Sequence, residues 1–194
     1  SVGFIGPDEP RYAAVAREMV VSGDYITPRF NGMPWFEKPV LTYWMTAIGY
    51  ALFGQNEWGA RFPSALSATL SVFAIYLAGW RLWGWKAGII ASIVAASSVG
   101  FVAFAHAAST DMPLTACLTI ALTCFLAGTI EAEPMRRRWF YGFYTALGFG
   151  ALAKGPIAFV LPGISLVLFI ALRREWGEWK KWHPEGVFIA LGVA

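Results

Sequence analysis

No Asp, Glu, Lys or Arg occurs in residues 62–80, 87–110, 112–130, 139–153 or 155–172. An apolar helix of about 18 residues or more crosses the hydrocarbon core of a bilayer, and four of the five runs reach that length. The run 139–153 is shorter, but snorkelling of Arg136, Arg137 and Arg138 before it extends its reach. Composition agrees: 57% of residues are hydrophobic and 14% charged, against about 25% charged in soluble domains. The expectation is an all-α integral membrane protein, a multi-span helical bundle.

Spans are expected at roughly 62–80, 87–108, 112–130, 139–153 and 156–172, with another beginning at 187. Arg81, Lys86, Arg136, Arg137, Arg138, Arg173, Arg174, Lys180 and Lys181 all fall in alternate loops. The positive-inside rule makes those loops cytoplasmic. Residues 1–60, Ser109–Asp111 and Lys154 then share the opposite, non-cytoplasmic side. The net charge of +3 is explained by this topology and does not suggest nucleic acid. Ten Trp and seven Tyr suit aromatic belts at the two interfaces. Cys117 and Cys124 are separated by about 10 Å of helical rise, too far for a disulfide. The chain opens on Ser1 and stops within an apolar run. It is expected to be a single fragment, 1–194, lacking a first membrane span and a C-terminal part.

Residues 8–60 form the one long polar connection, with two helices that are not spans. The first is expected from about Pro10 to Ser22, with Asp8 or Glu9 as N-cap and Gly23 as stop. Tyr12, Val15, Ala16 and Met19 give it an apolar face, a pattern suited to the membrane surface. The second is expected from Pro39 to Phe53, also at the interface. No soluble domain, low-complexity linker or repeat is visible.

Charge beside a bilayer is expensive, which makes the charged islands functional hypotheses. Asp8 and Glu9 fit a helix cap, or a general base or anchor for a hydroxyl. Arg11 and Tyr12 follow Asp8 at three and four residues, so acid, guanidinium and phenol face one volume. Glu37 and Lys38 read either as a solvated pair or as an anion site, because Lys38 precedes Pro39 at a helix start. Glu37 alone is weak evidence for a metal. Asp111 suits an N-cap or a functional acid. Lys154 breaks an apolar stretch, through topology or as a second phosphate contact. Arg61 is expected to pair with Glu57 at i,i+4, and His106 reads as an interfacial histidine.

In order, Asp8-Glu9-x-Arg11-Tyr12-Ala13, Trp35-Phe36-Glu37-Lys38-Pro39-x-Leu41-x-Tyr43-Trp44, Glu57-x-x-x-Arg61-x-Pro63-Ser64 and Ser109-x-Asp111 span nearly the whole chain. Together they resemble the GT-C membrane glycosyltransferases of the dolichyl-phosphate-mannose protein mannosyltransferase superfamily, in the bacterial branch that includes the lipid A aminoarabinose transferase. The resemblance implies an inverting transferase that moves a sugar from a polyprenyl-phosphate carrier, typically undecaprenyl phosphate. The acceptor would be lipid A, a protein or another envelope glycan on the periplasmic face of the inner membrane. It implies catalytic roles for Asp8 and Asp111. Glu9, Arg11, Tyr12, Lys38 and Lys154 would meet carrier phosphate or substrate. No cofactor is required, though Glu37 is a candidate contact for a divalent metal. Two positions depart from the family pattern: Val40 replaces a second proline, and Trp35 replaces a frequent Tyr. A secondary transporter and a non-catalytic membrane scaffold are the alternative readings.

Overall fold

The computed structural model describes residues 3–4, 8–174, 177 and 181–194; Lys180, one of the expected loop cations, lies outside them. Nine α-helices follow one another among the described residues: α1 (Asp8–Ser22), α2 (Leu41–Phe53), α3 (Glu57–Trp83), α4 (Trp85–Ser97), α5 (Val99–Ala105), α6 (Asp111–Ile130), α7 (Met135–Lys154), α8 (Ile157–Arg173) and α9 (Val187–Val193). A short antiparallel hairpin, β1 (Arg29–Phe30) and β2 (Met33–Pro34), sits between α1 and α2.

By length and composition α3 and α6 can each cross a membrane. The expected continuous span at 87–108 is instead broken into α4 and α5, which meet at a 69° bend. Ser97 and Ser98 supply the reason. Each hydroxyl donates to a carbonyl three residues earlier, and Ser98 adopts extended backbone. Serine side chains that compete for helix carbonyls bend helices at such pairs. Together the two halves still meet the length and hydropathy of a single span. The 20-residue α7 carries Arg136–Arg138 in its first turn and Lys154 in its last. It rises about 30 Å, but by length and composition neither α7 nor the shorter α8 is, like α3 and α6, a helix apolar and long enough to cross.

The helices approach closely where glycine removes the side chain. A Cβ on Gly49 of α2 would lie 2.2 Å from the Gly59 carbonyl oxygen of α3, and one on Gly79 of α3 would lie 2.8 Å from Gly88 Cα of α4. Small residues are the usual means of tight helix packing in membranes. Ser64, Ser67 and Ser71 continue this on α3 as a fully buried small-residue stripe. Between α6 and α7, Phe125 packs edge-on to Phe140 and against Phe143.

The apolar face of α1 is used differently from the expectation. Tyr12, Val15, Ala16 and Met19 turn inward and form one cluster with Tyr43 and Tyr50 of α2. Protein, not lipid, covers this stripe. On α2 the outward residues Ile48, Leu52 and Phe53 remain exposed, as an interfacial helix requires.

Charge separates to the two ends of the bundle. At one end Arg81 lies 3.7 Å from Glu131 and its guanidinium stacks on Trp139 at 4.8 Å. Two residues after Glu131, Glu133 of the α6–α7 loop is joined to the turn before α9 by His183. Its Nδ1 and Nε2 each lie 2.9 Å from a carboxylate oxygen, of Glu185 and Glu133 respectively. Carboxylates only accept hydrogen bonds, so both contacts are hydrogen bonds only when both ring nitrogens carry a proton, and the pair of acids favours that protonated ring. The Glu133 contact first, then Glu185, holds the His183 pKa above 6.5 despite some desolvation. The Glu133 carboxyl is lowered chiefly by His183, and that of Glu185 by backbone and then His183.

The sign follows from these directions. The His183 contribution is complete below pH 6.5 and is lost as pH rises through its raised folded value. The carboxylate contributions are present above pH 4.5 and fade as pH falls through their lowered values. Thermal unfolding followed against pH therefore shows a decline as pH rises above 6.5 that His183→Gln abolishes. An identical decline in the variant would remove His183 as its source.

Candidate functional site

The opposite end of the bundle carries the charged islands, and one carboxylate assembles it. Glu9, in the first turn of α1, is 5% exposed. Its Oε1 accepts from Arg61 Nε at 3.3 Å and its Oε2 from Arg61 Nη2 at 3.0 Å. The backbone N–H of Ala108, just before α6, also donates to Glu9 Oε1. Arg61 thus goes to Glu9 rather than to the expected Glu57. The Arg61 Nη2 also donates to the Gly3 carbonyl at 3.0 Å. Glu9, expected as a contact for carrier or substrate, stands behind the site and ties α1, α3 and the α6 entry together.

The α6 entry is further fixed by serine. Ser109 N–H donates to Ser64 Oγ at 3.4 Å, and Asp111 N–H to Ser109 Oγ at 3.2 Å. Asp111 is the first residue of α6 and Thr110 its N-cap, without a side-chain cap bond. The expected N-cap role of Asp111 is therefore corrected. Its carboxylate accepts from Lys154 Nζ at the end of α7, a pairing across 43 positions of sequence.

Around α1 a second set of charges meets. Arg11 lies 3.5 Å from Asp8 and 3.2 Å from Glu37, and Lys38 lies 3.5 Å from Glu37. The Arg11 guanidinium also sits over the Trp35 ring at 5.7 Å. The helix α2 begins at Leu41 with Val40 as N-cap, so Lys38 stands ahead of it rather than at its first turn. Tyr12 lies within electrostatic reach of both sets. Burial pushes its phenol upward first, and Asp8, Glu37 and Asp111 push the same way against Arg11. It is held as a neutral hydroxyl, a donor rather than a base.

Asp8, Arg11, Tyr12, Glu37, Lys38, Asp111 and Lys154 thus gather at one end of the bundle, with Glu9 beneath them. The cations Arg11, Lys38 and Lys154 each contact an acid of the same group. Among the acids Asp8 is the least engaged: its side chain is 63% exposed, against 36% for Glu37 and 44% for Asp111. It has the most room to accept a hydroxyl. The surroundings of Glu37 do not fit a metal, since its near neighbours are two cations. Among the described residues no three His, Cys, Asp or Glu side chains form a metal-binding group. His106 caps α5 by donating Nδ1–H to the Val102 carbonyl at 2.8 Å.

An apolar groove of about 460 Å³ opens beside this end, between α2, α3, α6 and α7. Leu41 and Pro113, close in sequence to Lys38 and Asp111, line its site end, and Cys124 and Gly142 lie farther from it along α6 and α7. A larger groove of about 530 Å³ between α3, α4 and α5 includes His106 and none of the clustered acids or cations.

Two features of the site escaped the sequence reading. The Glu9–Arg61 pair spans 52 positions, and no local pattern signals it. The hairpin before Trp35 was signalled by Asn31-Gly32, the dipeptide of two-residue β-turns.

Residues 37–194 match the family model of dolichyl-phosphate-mannose-protein mannosyltransferases. The chain is 35% identical over 198 residues to an undecaprenyl phosphate-alpha-4-amino-4-deoxy-L-arabinose arabinosyl transferase of Pseudomonas fluorescens, covering 100% of this chain and 34% of that protein. It is 35% identical over 191 residues to the transferase of that name in Pseudomonas aeruginosa, covering 96% and 34%. Two crystal structures of ArnT from Cupriavidus metallidurans, apo and bound to undecaprenyl phosphate, superpose with a TM-score of 0.95 at 35% identity. They cover 98% of this chain and 36% of theirs. The chain spans about a third of the length of the curated relatives it matches.

Breaking a buried pair by removing one partner costs about 3–5 kcal/mol. Glu9→Ala and Arg61→Ala should each lower unfolding stability in detergent by an amount of that order, and the double variant by little more than either. Fully additive losses would deny the coupling.

Proposed function

The chain belongs to the dolichyl-phosphate-mannose-protein mannosyltransferase family, and from that premise we propose that it is part of a membrane glycosyltransferase using a polyprenyl-phosphate sugar donor. The donor is an undecaprenyl-phosphate-linked sugar, with 4-amino-4-deoxy-L-arabinose the first choice on the names of the relatives. The acceptor is a cell-envelope molecule, lipid A before protein or another glycan. The protein is integral to the membrane; we place it in the bacterial inner membrane with its site on the periplasmic face, as the basic loops at the other end favour.

One observation carries the reading. Acids and cations from α1, the segment before α2, the start of α6 and the end of α7 converge beside the mouth of an apolar groove. A lipid phosphate needs both features: fixed cations for its headgroup and an apolar path for its chain. In the proposed reaction an acceptor oxygen attacks the anomeric carbon, forms the new C–O bond and breaks the bond to the carrier phosphate oxygen. Direct displacement inverts the anomeric centre. Lys38, Arg11 and Lys154 stabilise the departing phosphate, an interaction that grows as its charge develops. To reach it, each cation exchanges a resident carboxylate for the phosphate. Asp8, the most open acid, accepts the proton of an acceptor hydroxyl; a phosphate acceptor is already anionic, and Asp8 then orients it. Asp111 holds Lys154 and is the second acid.

In the complete gene product, Asp8→Asn should lower turnover by about a hundredfold or more, and Lys38→Ala should weaken donor use. Mass spectrometry of lipid A from cells carrying each variant, in a background without another such transferase, reads both. Near-normal modification with Asp8→Asn would remove Asp8 from catalysis.

A further inference from the structure

The residues that would meet the carrier phosphate before α2 lie on a segment with little core of its own. From Gly23 to Val40 the chain has only the two-residue strands β1 and β2 as regular structure. An isolated hairpin of this size is marginal in water, so something outside it must hold its shape.

The Glu18 carboxylate does so from the side of α1. Its Oε1 accepts the N–H of Asn31 at 2.7 Å and its Oε2 the N–H of Gly32 at 3.1 Å. These are the two central residues of the turn, with φ of +54° and +77°. Both positive values belong to the turn type that suits a two-residue hairpin, in which the central N–H groups face outward and need partners. One side chain thus closes both, through hydrogen bonds strengthened by its charge.

The hairpin transmits that anchor toward the charged cluster. Its pairing sets Phe30 against Met33 and Arg29 against Pro34, and the Trp35 N–H then donates to the Pro28 carbonyl at 2.8 Å. This fixes Trp35 with its ring 5.4 Å from Phe30 and under the Arg11 guanidinium. Two residues on, Glu37 meets Arg11, and Lys38 meets Glu37. At the other end of the segment Asp24 accepts the N–H groups of Ile26 and Thr27, each at 3.0 Å.

We propose that Glu18 is a positioning residue, which acts through the hairpin and Trp35 to hold Glu37 and Lys38 where the carrier phosphate binds. The proposal rests on the reading of Lys38 as a contact for that phosphate. Glu18 itself touches the turn and not the cluster.

The test measures Kd for undecaprenyl phosphate with the complete gene product in detergent, for Glu18→Ala, Glu18→Gln, Lys38→Ala and the Glu18→Ala/Lys38→Ala double variant. Glu18→Ala should weaken binding about tenfold, and Glu18→Gln, which keeps one acceptor oxygen, about threefold. The thermal midpoint should move by less than about 2 °C, because a surface hairpin opens locally without the bundle. The double variant should bind only slightly more weakly than Lys38→Ala alone, since Glu18 acts mainly through Lys38 and otherwise only through the Arg11 contacts of Trp35 and Glu37. Wild-type affinity in Glu18→Ala overturns the proposal. So does a loss that adds in full to that of Lys38→Ala, or one matched by a large drop in thermal midpoint. Unchanged affinity in Lys38→Ala overturns the carrier-phosphate reading and this proposal with it.

Discussion

A carboxylate removed from water and shared by three segments holds the site end of this bundle together. Glu9 takes two bonds from Arg61 and one from the Ala108 N–H. In so doing it fixes the roll of α1, the start of α3 and the turn into α6 relative to one another. Charge this deeply placed is tolerated only when paired and hydrogen-bonded. Asp8 and Arg11 inherit their positions from the roll of α1, and Asp111 inherits its position from the turn. Neighbouring acids in one sequence motif therefore have opposite tasks: Glu9 points into the protein and Asp8 out of it.

The charged cluster is balanced at rest. Arg11 stands between Asp8 and Glu37, Lys38 beside Glu37, and Lys154 against Asp111. Such pairing limits the cost of holding several charges at a membrane boundary. It also means that any anion bound to these cations would compete with their carboxylates and free an acid. The Tyr12 phenol, kept neutral by burial and by the surrounding acids, stands within electrostatic reach of both halves.

Much of this was legible in the residues. The uncharged runs and basic loops foretold helices at α3, α6, α7 and α8, of which α3 and α6 are long and apolar enough to cross, and the two ends into which charge divides. The order of motifs from Asp8 to Asp111 identified the family, and the spacing of Asp8, Arg11 and Tyr12 put them on one side of a helix. What failed, failed for physical reasons. The stripe Tyr12, Val15, Ala16 and Met19 has a period that lipid or protein satisfies equally, and only the presence of α2 decides which. The run at 87–108 is uncharged throughout, so hydropathy cannot register that Ser97 and Ser98 turn their hydroxyls onto helix carbonyls. The i,i+4 spacing of Glu57 and Arg61 was a sound local pattern, outbid by a better desolvated partner far away in the chain.

Composition and spacing set the solvent for which this chain is built, the periods of its helices and the chemical types brought to one end. Both are local and act on a residue whatever its distant neighbours are. Tertiary structure alone decided which acid faces inward, which cation meets which carboxylate, and how a turn at Asn31-Gly32 comes to be held by Glu18. Each of these depends on a contact between residues remote in sequence, with an energy set by burial and angle. Neither quantity exists until the helices have packed.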